Sequence, residues 1–205
     1  MRKPLFAAVV LIIALPNSSA GSREQKPTKN TERLTLDEVA IYKAVLQQYA
    51  GDDSDKLGTL NVSAATYSLD PDSAMIRLSG NACLEGIHLD NLATASRSFH
   101  DLTPDILPSK HARLVDPKKQ KKIVHDNDPD KTMQEGKSVE GAVNDAFSTA
   151  LFSMSEIAFD KGHTYAVVSY SFWCGSLCGN GGTWVFQKIR NQWKKTDRDC
   201  GGWIS

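Results

Sequence analysis

The strongest constraint in this sequence is the cluster Cys174-Gly-Ser-Leu-Cys178-Gly-Asn-Gly-Gly182, set between two apolar, β-branched and aromatic runs. Such runs suit a pleated, half-buried surface, and glycines between them permit tight reversal and close backbone approach. Residues 153–205 hold all four tryptophans and three of the four cysteines. The fold is therefore expected to be organised around a C-terminal antiparallel meander.

Thr164 to Trp173 reads as one strand. Its period-two split puts Ala166, Val168, Tyr170 and Phe172 on a core face, and Tyr165, Val167, Ser169, Ser171 and Trp173 on a more mixed one. Ser155 to Phe159 is a shorter apolar run that ends at the turn-type cluster Asp160 to His163. Thr183 to Ile189 is the next strand, and Arg190-Asn191 forms a two-residue turn, since Asn tolerates left-handed backbone. Gln192 to Thr196 returns antiparallel, with Ile189 opposite Gln192, Lys188 opposite Trp193 and Phe186 opposite Lys195. Trp184, Phe186 and Trp193 then share a face. Extended without interruption, this register brings Cys200 level with Gly181.

Ser155-x-x-Ala-Phe159, Ala166-Val-Val, Cys174-Gly-x-Leu-Cys178-Gly-x-Gly, Lys188, Trp193 and Trp203-Ile-Ser205 together resemble a family of secreted, mostly bacterial proteins of uncharacterised function. In that family a helix with an apolar face lies earlier in the chain, where Leu36 to Tyr49 could match. The resemblance covers the C-terminal third well and the middle poorly. It implies a fold and no activity.

Met1 to Ala20 has the form of a cleaved export signal: a basic start, an apolar run from Pro4 to Leu15, and small residues at Ser18 and Ala20. The run is too short for a comfortable membrane span. The remaining 205 − 20 = 185 residues suffice for one domain with a core, assigned to residues 34–205. With 24 basic and 24 acidic residues, charge gives no reason to expect a nucleic-acid partner. The expected location is periplasmic or extracellular. In an exported chain four cysteines suggest two disulfides, with three possible connectivities. Cys174–Cys178 with Cys83–Cys200 is the expectation. The competing arrangement ties Cys200 into the 174–178 loop and leaves Cys83 with the other loop cysteine.

Residues 21–33 are polar, without apolar periodicity, and read as a disordered leader. Thr35-Leu-Asp-Glu38 is a capping box, and Val39, Tyr42, Val45, Leu46 and Tyr49 follow at helical spacing up to Gly51. Leu57 to Leu69 reads as a strand, with Met75 to Leu78 as its partner across Asp70-Pro71-Asp72. Asp90 caps a short helix through Phe99. Ala142 to Leu151 is a helical segment with Val143, Phe147 and Leu151 inward. Pro108 to Ser138 reads as an exposed loop, its lysines at 118, 119, 121 and 122 offset by Asp126, Asp128 and Asp130.

Few residues carry recognisable chemistry. Asp126-Asn-Asp-Pro-Asp130 begins like a calcium loop but has Lys131 and Lys137 where Gly and a bidentate Glu are needed. The cysteines lack zinc-finger spacing and the two-residue gap of a dithiol oxidoreductase. No His-Glu-x-x-His pattern, Gly-x-Ser-x-Gly elbow or phosphate-binding loop is present. Asn61-Val-Ser63 is formally a glycosylation acceptor. No metal or cofactor is expected.

The expected architecture is α+β: an antiparallel sheet with a C-terminal meander, packed by an N-terminal helix and one or two further short helices. The expected role is non-catalytic binding of a small molecule or protein, on a surface formed by Trp173, Gly175, Asn180 and Gly181. The alternative is a small secreted hydrolase whose catalytic residues lie far apart in sequence.

Overall fold

The computed structural model describes residues 26–50, 59–70, 82–108 and 111–205. The proposed signal segment 1–20, Gly51 and the Met75 to Leu78 run lie outside them.

The fold is α+β. Helix α1 (Leu36–Ala50) begins as a capping box: the Thr35 N–H donates to Glu38 Oε2 (2.6 Å) and the Glu38 N–H to Thr35 Oγ1 (3.2 Å). It buries Ile41, Tyr42, Val45 and Leu46 against one face of the main sheet. The strands of that sheet are β2 (Leu60–Ser63), β4 (Ala112–Val115), β5 (Leu151–Met154), β7 (Tyr165–Gly175), β8 (Cys178–Ile189) and β9 (Gln192–Ile204). They lie in the order β4-β2-β5-β7-β8-β9, with β6 (Ala158–Phe159) paired to β7. From β5 to β9 every pairing is antiparallel, but β2 runs parallel to both β4 and β5.

The two faces of β7 divide as its period-two pattern requires. Ala166, Val168 and Phe172 join the α1 side chains in the main core, together with Val62, Phe152 and Phe186. On the opposite face, Val167 and Val185 meet the Cys83–Cys200 disulfide in a smaller cluster. The second disulfide, Cys174–Cys178, closes the β7–β8 turn.

The β8–β9 hairpin turns at Arg190-Asn191, both in left-handed backbone (φ +49° and +64°), and pairs Ile189 with Gln192, Lys188 with Trp193 and Phe186 with Lys195. Beyond Lys195 the register departs from a simple ladder. Irregularities on either side of Trp184 admit extra residues into β9, so that Gly181 faces Trp203 and not Cys200, a shift of 203 − 200 = 3 residues. An odd shift also reverses which face each later side chain joins.

Several readings of the middle region are corrected. The stretch expected to be an exposed loop, Pro108 to Ser138, contains β4 and the helices α3 (Pro117–Asp126) and α4 (Pro129–Gln134). Asp116 and Asp128 are their N-caps, each followed by proline at the first helical position, so one of the acids read as offsetting the lysines, Asp128, is a helix start. Asp90 caps nothing of that length: α2 (Leu92–Ala95) is one turn and gives way to β3 (Ser98–Phe99). The segment read as a disordered leader supplies β1 (Thr28–Lys29), which pairs in parallel with β3.

Helix α5 (Val139–Thr149) buries Ala142 and Ala146, leaving Val143 39% and Phe147 45% exposed, and Leu151 belongs to β5. Ala146 joins the main core, and the Phe147 ring, though partly exposed, lies 5.7 Å from that of Phe172 on β7. Asn61, the formal glycosylation acceptor, is buried; its amide donates to the Ser148 and Ala150 carbonyls, each at 3.0 Å.

Asp37 fastens the start of α1 to the β8–β9 hairpin. It accepts from Lys188 Nζ (2.9 Å) and Trp193 Nε1 (3.0 Å), with His163 Nδ1 at 3.9 Å. Partial burial pushes its carboxyl up, but the Lys188 and Trp193 donors and the neighbouring positive charge outweigh burial and hold it below the usual carboxylate range. A depressed folded value means this contribution is full above the unfolded value of about 3.9 and is lost as pH falls through the folded one. Asp37→Asn should cost roughly 0.5–1.5 kcal/mol at neutral pH and flatten the acid limb of stability. Urea unfolding between pH 2 and 7 checks this; equal acid sensitivity in both proteins contradicts it.

Candidate functional site

A groove of about 630 Å³ lies on the sheet face opposite α1. Its floor is set by strand alternation. Leu151 and Ser153 of β5 and Ser171 and Trp173 of β7 point the same way, with Leu151 opposite Trp173 and Ser153 opposite Ser171. Ser63 and Thr66 close one side, Trp203 of β9 the other, and Lys121 on α3 reaches the rim.

Trp203 reaches the groove because β8 is bare beneath it. A Cβ on Gly181 would overlap Trp203 Nε1 and stand 2.7 Å from the Tyr170 carbonyl oxygen; one on Gly179 would stand 3.1 Å from the indole edge. The indole thus lies on main chain, which only glycine permits.

The four residues expected to form a common surface are divided by the fold. Trp173 is half-buried and lines the groove. Gly181 is buried and is the bed of Trp203, so it shapes the groove without being open to it. Asn180 projects to the opposite face, where its amide lies 3.2 Å from the Tyr49 hydroxyl. Gly175 sits in the disulfide ring with φ +152°, so close to α4 that a Cβ would stand 2.7 Å from Pro129 Cδ. There the Ser176 N–H donates to Asp128 Oδ2 (2.6 Å) and the Asp130 N–H to Oδ1 (3.0 Å). Burial raises the Asp128 carboxyl, but these donors more than offset it and hold it below the usual range. Its carboxylate is thus committed to capping and to the ring.

Hydroxyls on this sheet face fall into two groups. Ser169 Oγ lies 2.7 Å from Thr183 Oγ1, and Ser155 Oγ accepts from the Ser169 N–H (2.9 Å) while donating to the Glu156 carbonyl (2.7 Å). Ser63 is closed on its own turn, donating to the Ala65 carbonyl and accepting from the Ala65 N–H. By contrast, the cross-strand pair Ser153 and Ser171 has no protein hydrogen-bond partner for either side-chain hydroxyl among the described residues. Both are half-buried on the groove floor. No sequence motif marks them; the signal was the alternation of serine with aromatics that made this face look mixed. Trp203 was hidden by the β9 irregularities and Lys121 by the reading of its helix as a loop.

A buried acid–histidine cluster stands behind Thr66. Glu156 accepts from the Thr66 hydroxyl and the His100 N–H (2.9 Å), while its second oxygen lies 2.8 Å from His100 Nδ1. The Thr66 oxygen in turn accepts from the His100 N–H (2.7 Å). A hydrolytic triad places the imidazole between hydroxyl and carboxylate. Here hydroxyl and imidazole both meet the carboxylate, so the cluster joins three chain segments and does not activate Thr66. His163, near the ring in sequence, is exposed and stacks on Phe159 at 4.6 Å.

No family model, curated protein or solved structure matches the chain.

Gly181→Ala should destabilise the fold by about 1–3 kcal/mol through overpacking between the Trp203 indole and the Tyr170 carbonyl. Gly86, whose Cβ position is open but whose φ is +76°, provides a comparison limited to backbone strain. Denaturant unfolding measures both; a Gly181→Ala loss no larger than that of Gly86→Ala contradicts the packing described.

Proposed function

We propose that this protein is an exported, non-catalytic binding protein whose ligand lies in the groove between Trp173 and Trp203. The observation that carries the reading is the pair of unengaged hydroxyls, Ser153 and Ser171, on the floor of an aromatic-walled groove. Buried or half-buried hydroxyls ordinarily find partners within the protein, as Ser63, Ser155, Ser169 and Thr183 do here. A ligand is what such a pair is suited to meet. The groove volume falls within the ~300–1,000 Å³ usual for small-molecule sites, and apolar walls with a few convergent polar groups are their usual lining.

Two disulfides and an apolar N-terminal run with small residues at its end support export. Among the described residues no helix is long and apolar enough to cross a membrane.

A serine nucleophile requires an adjacent base. No histidine or carboxylate lines the groove among the described residues, and the lysine that does is exposed. Lysine serves as a base where burial strips water from its ammonium. These features favour binding over hydrolysis.

The test is a tryptophan-emission titration of the full chain with three probes: oligosaccharides, amphipathic hexapeptides and medium-chain fatty acids. At least one should bind, with affinity reduced at least about tenfold by Trp173→Ala and retained by Trp173→Phe. Turnover of an ester, peptide or glycoside substrate that disappears in Ser153→Ala or Ser171→Ala would overturn the reading in favour of a hydrolase.

A further inference from the structure

The groove's lining narrows the chemistry of its ligand, on the premise that the groove is the binding site. Its floor is the face of two interior strands, β5 and β7, whose backbone N–H and C=O groups are engaged in the sheet. It therefore cannot recognise a peptide by adding a strand, which requires a free edge. A wholly apolar ligand would bury the Ser153 and Ser171 hydroxyls without partners, an unfavourable exchange. A phosphate or sulfate group would draw on several cations or a fan of backbone N–H groups; this groove has one lysine.

A saccharide satisfies all three constraints. The C–H face of a pyranose ring is apolar and packs flat on an indole, while its rim carries hydroxyls that donate and accept. Trp173 and Trp203 supply the aromatic surfaces, and Ser153 and Ser171 supply hydroxyls that can act in either sense. Lys121 adds a further restriction. It is the one charged residue lining the groove among those described, and it makes no ion pair among them. A positive charge with no ion-pair partner among the described residues complements a single negative one on the ligand.

We propose that the groove binds a carboxylate-bearing saccharide, a uronic-acid unit of an acidic polysaccharide. One ring face lies on an indole, its hydroxyls meet Ser153 and Ser171, and its carboxylate is directed toward Lys121.

The probes are trimers of galacturonate, mannuronate and guluronate, a hyaluronan tetrasaccharide, and the methyl ester of trigalacturonate, which keeps the ring and removes the charge. Calorimetric titration of the full chain should find at least one acidic oligosaccharide that binds. For that ligand, Lys121→Met should weaken binding at least about tenfold, and Trp173→Ala should abolish it while Trp173→Phe retains it. If galacturonate is the ligand, its ester should bind as weakly to the wild type as the acid does to Lys121→Met. Circular dichroism establishes that each variant is folded, and Lys121, exposed on a helix, is a position where methionine should be tolerated.

Binding unaffected by Lys121→Met, or equal binding of acid and ester, overturns the role of the carboxylate. If no saccharide binds while a hexapeptide or fatty acid does so in a Trp173-dependent way, the saccharide inference fails and the groove remains a binding site. If none of these probes shows Trp173-dependent binding, both readings fall.

Discussion

The contact on which this architecture turns is an aromatic ring laid on bare backbone. The Trp203 indole occupies the volume that side chains at Gly179 and Gly181 would fill. Its neighbour Ile204 points into solvent and takes no part in the groove wall. The placement depends in turn on the irregular pairing of β9. With the ladder undisturbed, Cys200 would face Gly181 and the second wall would be absent. With three further residues admitted, Cys200 moves away to join Cys83, and Trp203 arrives over the glycines.

The two disulfides act at very different scales. Cys83–Cys200 closes a loop of 117 residues and Cys174–Cys178 one of 4. In the chain-entropy account, the first stabilises by roughly 5 kcal/mol and the second by about 2. The long bond therefore contributes to holding the domain together and fixes the later part of β9. The short one shapes the ring that meets Asp128 at the start of α4. Asp37 does a similar task for α1 through Lys188 and Trp193. The face opposite the groove is thus covered by α1, which packing and the Asp37–Lys188 ion pair hold in place.

Much of this was legible in the sequence. The alternation along Thr164 to Trp173 marked the core face, because a sheet between a helix and a groove must separate Ala166, Val168 and Phe172 from Ser171 and Trp173. Thr35 and Glu38 announced α1 through their reciprocal hydrogen bonds, and Arg190-Asn191 supplied the left-handed turn. What remained hidden follows from competing effects. Irregularities in an edge strand leave no pattern of their own, so Trp203 was out of reach. Lysine-rich helix α3 has little apolar periodicity, with Gln120 and Val124 its buried positions, and its caps looked like part of a charged loop. Helix α5 buries Ala142 and Ala146, while Val143 and Phe147, expected inward, are largely open, Phe147 still resting against Phe172. The candidate surface was half found: Trp173 lines the groove, Gly181 supports it from beneath, and Asn180 and Gly175 serve other contacts.

Whether the ring lies on the backbone is open to a direct spectroscopic check. In a nuclear Overhauser spectrum of the folded chain, the Trp203 indole N–H should show cross-peaks to the Gly181 α-protons, and those protons should be shifted upfield by the ring current. Absence of the cross-peaks, with ordinary glycine shifts at position 181 and an indole N–H exchanging freely with water, would remove the groove's second wall and the account built on it.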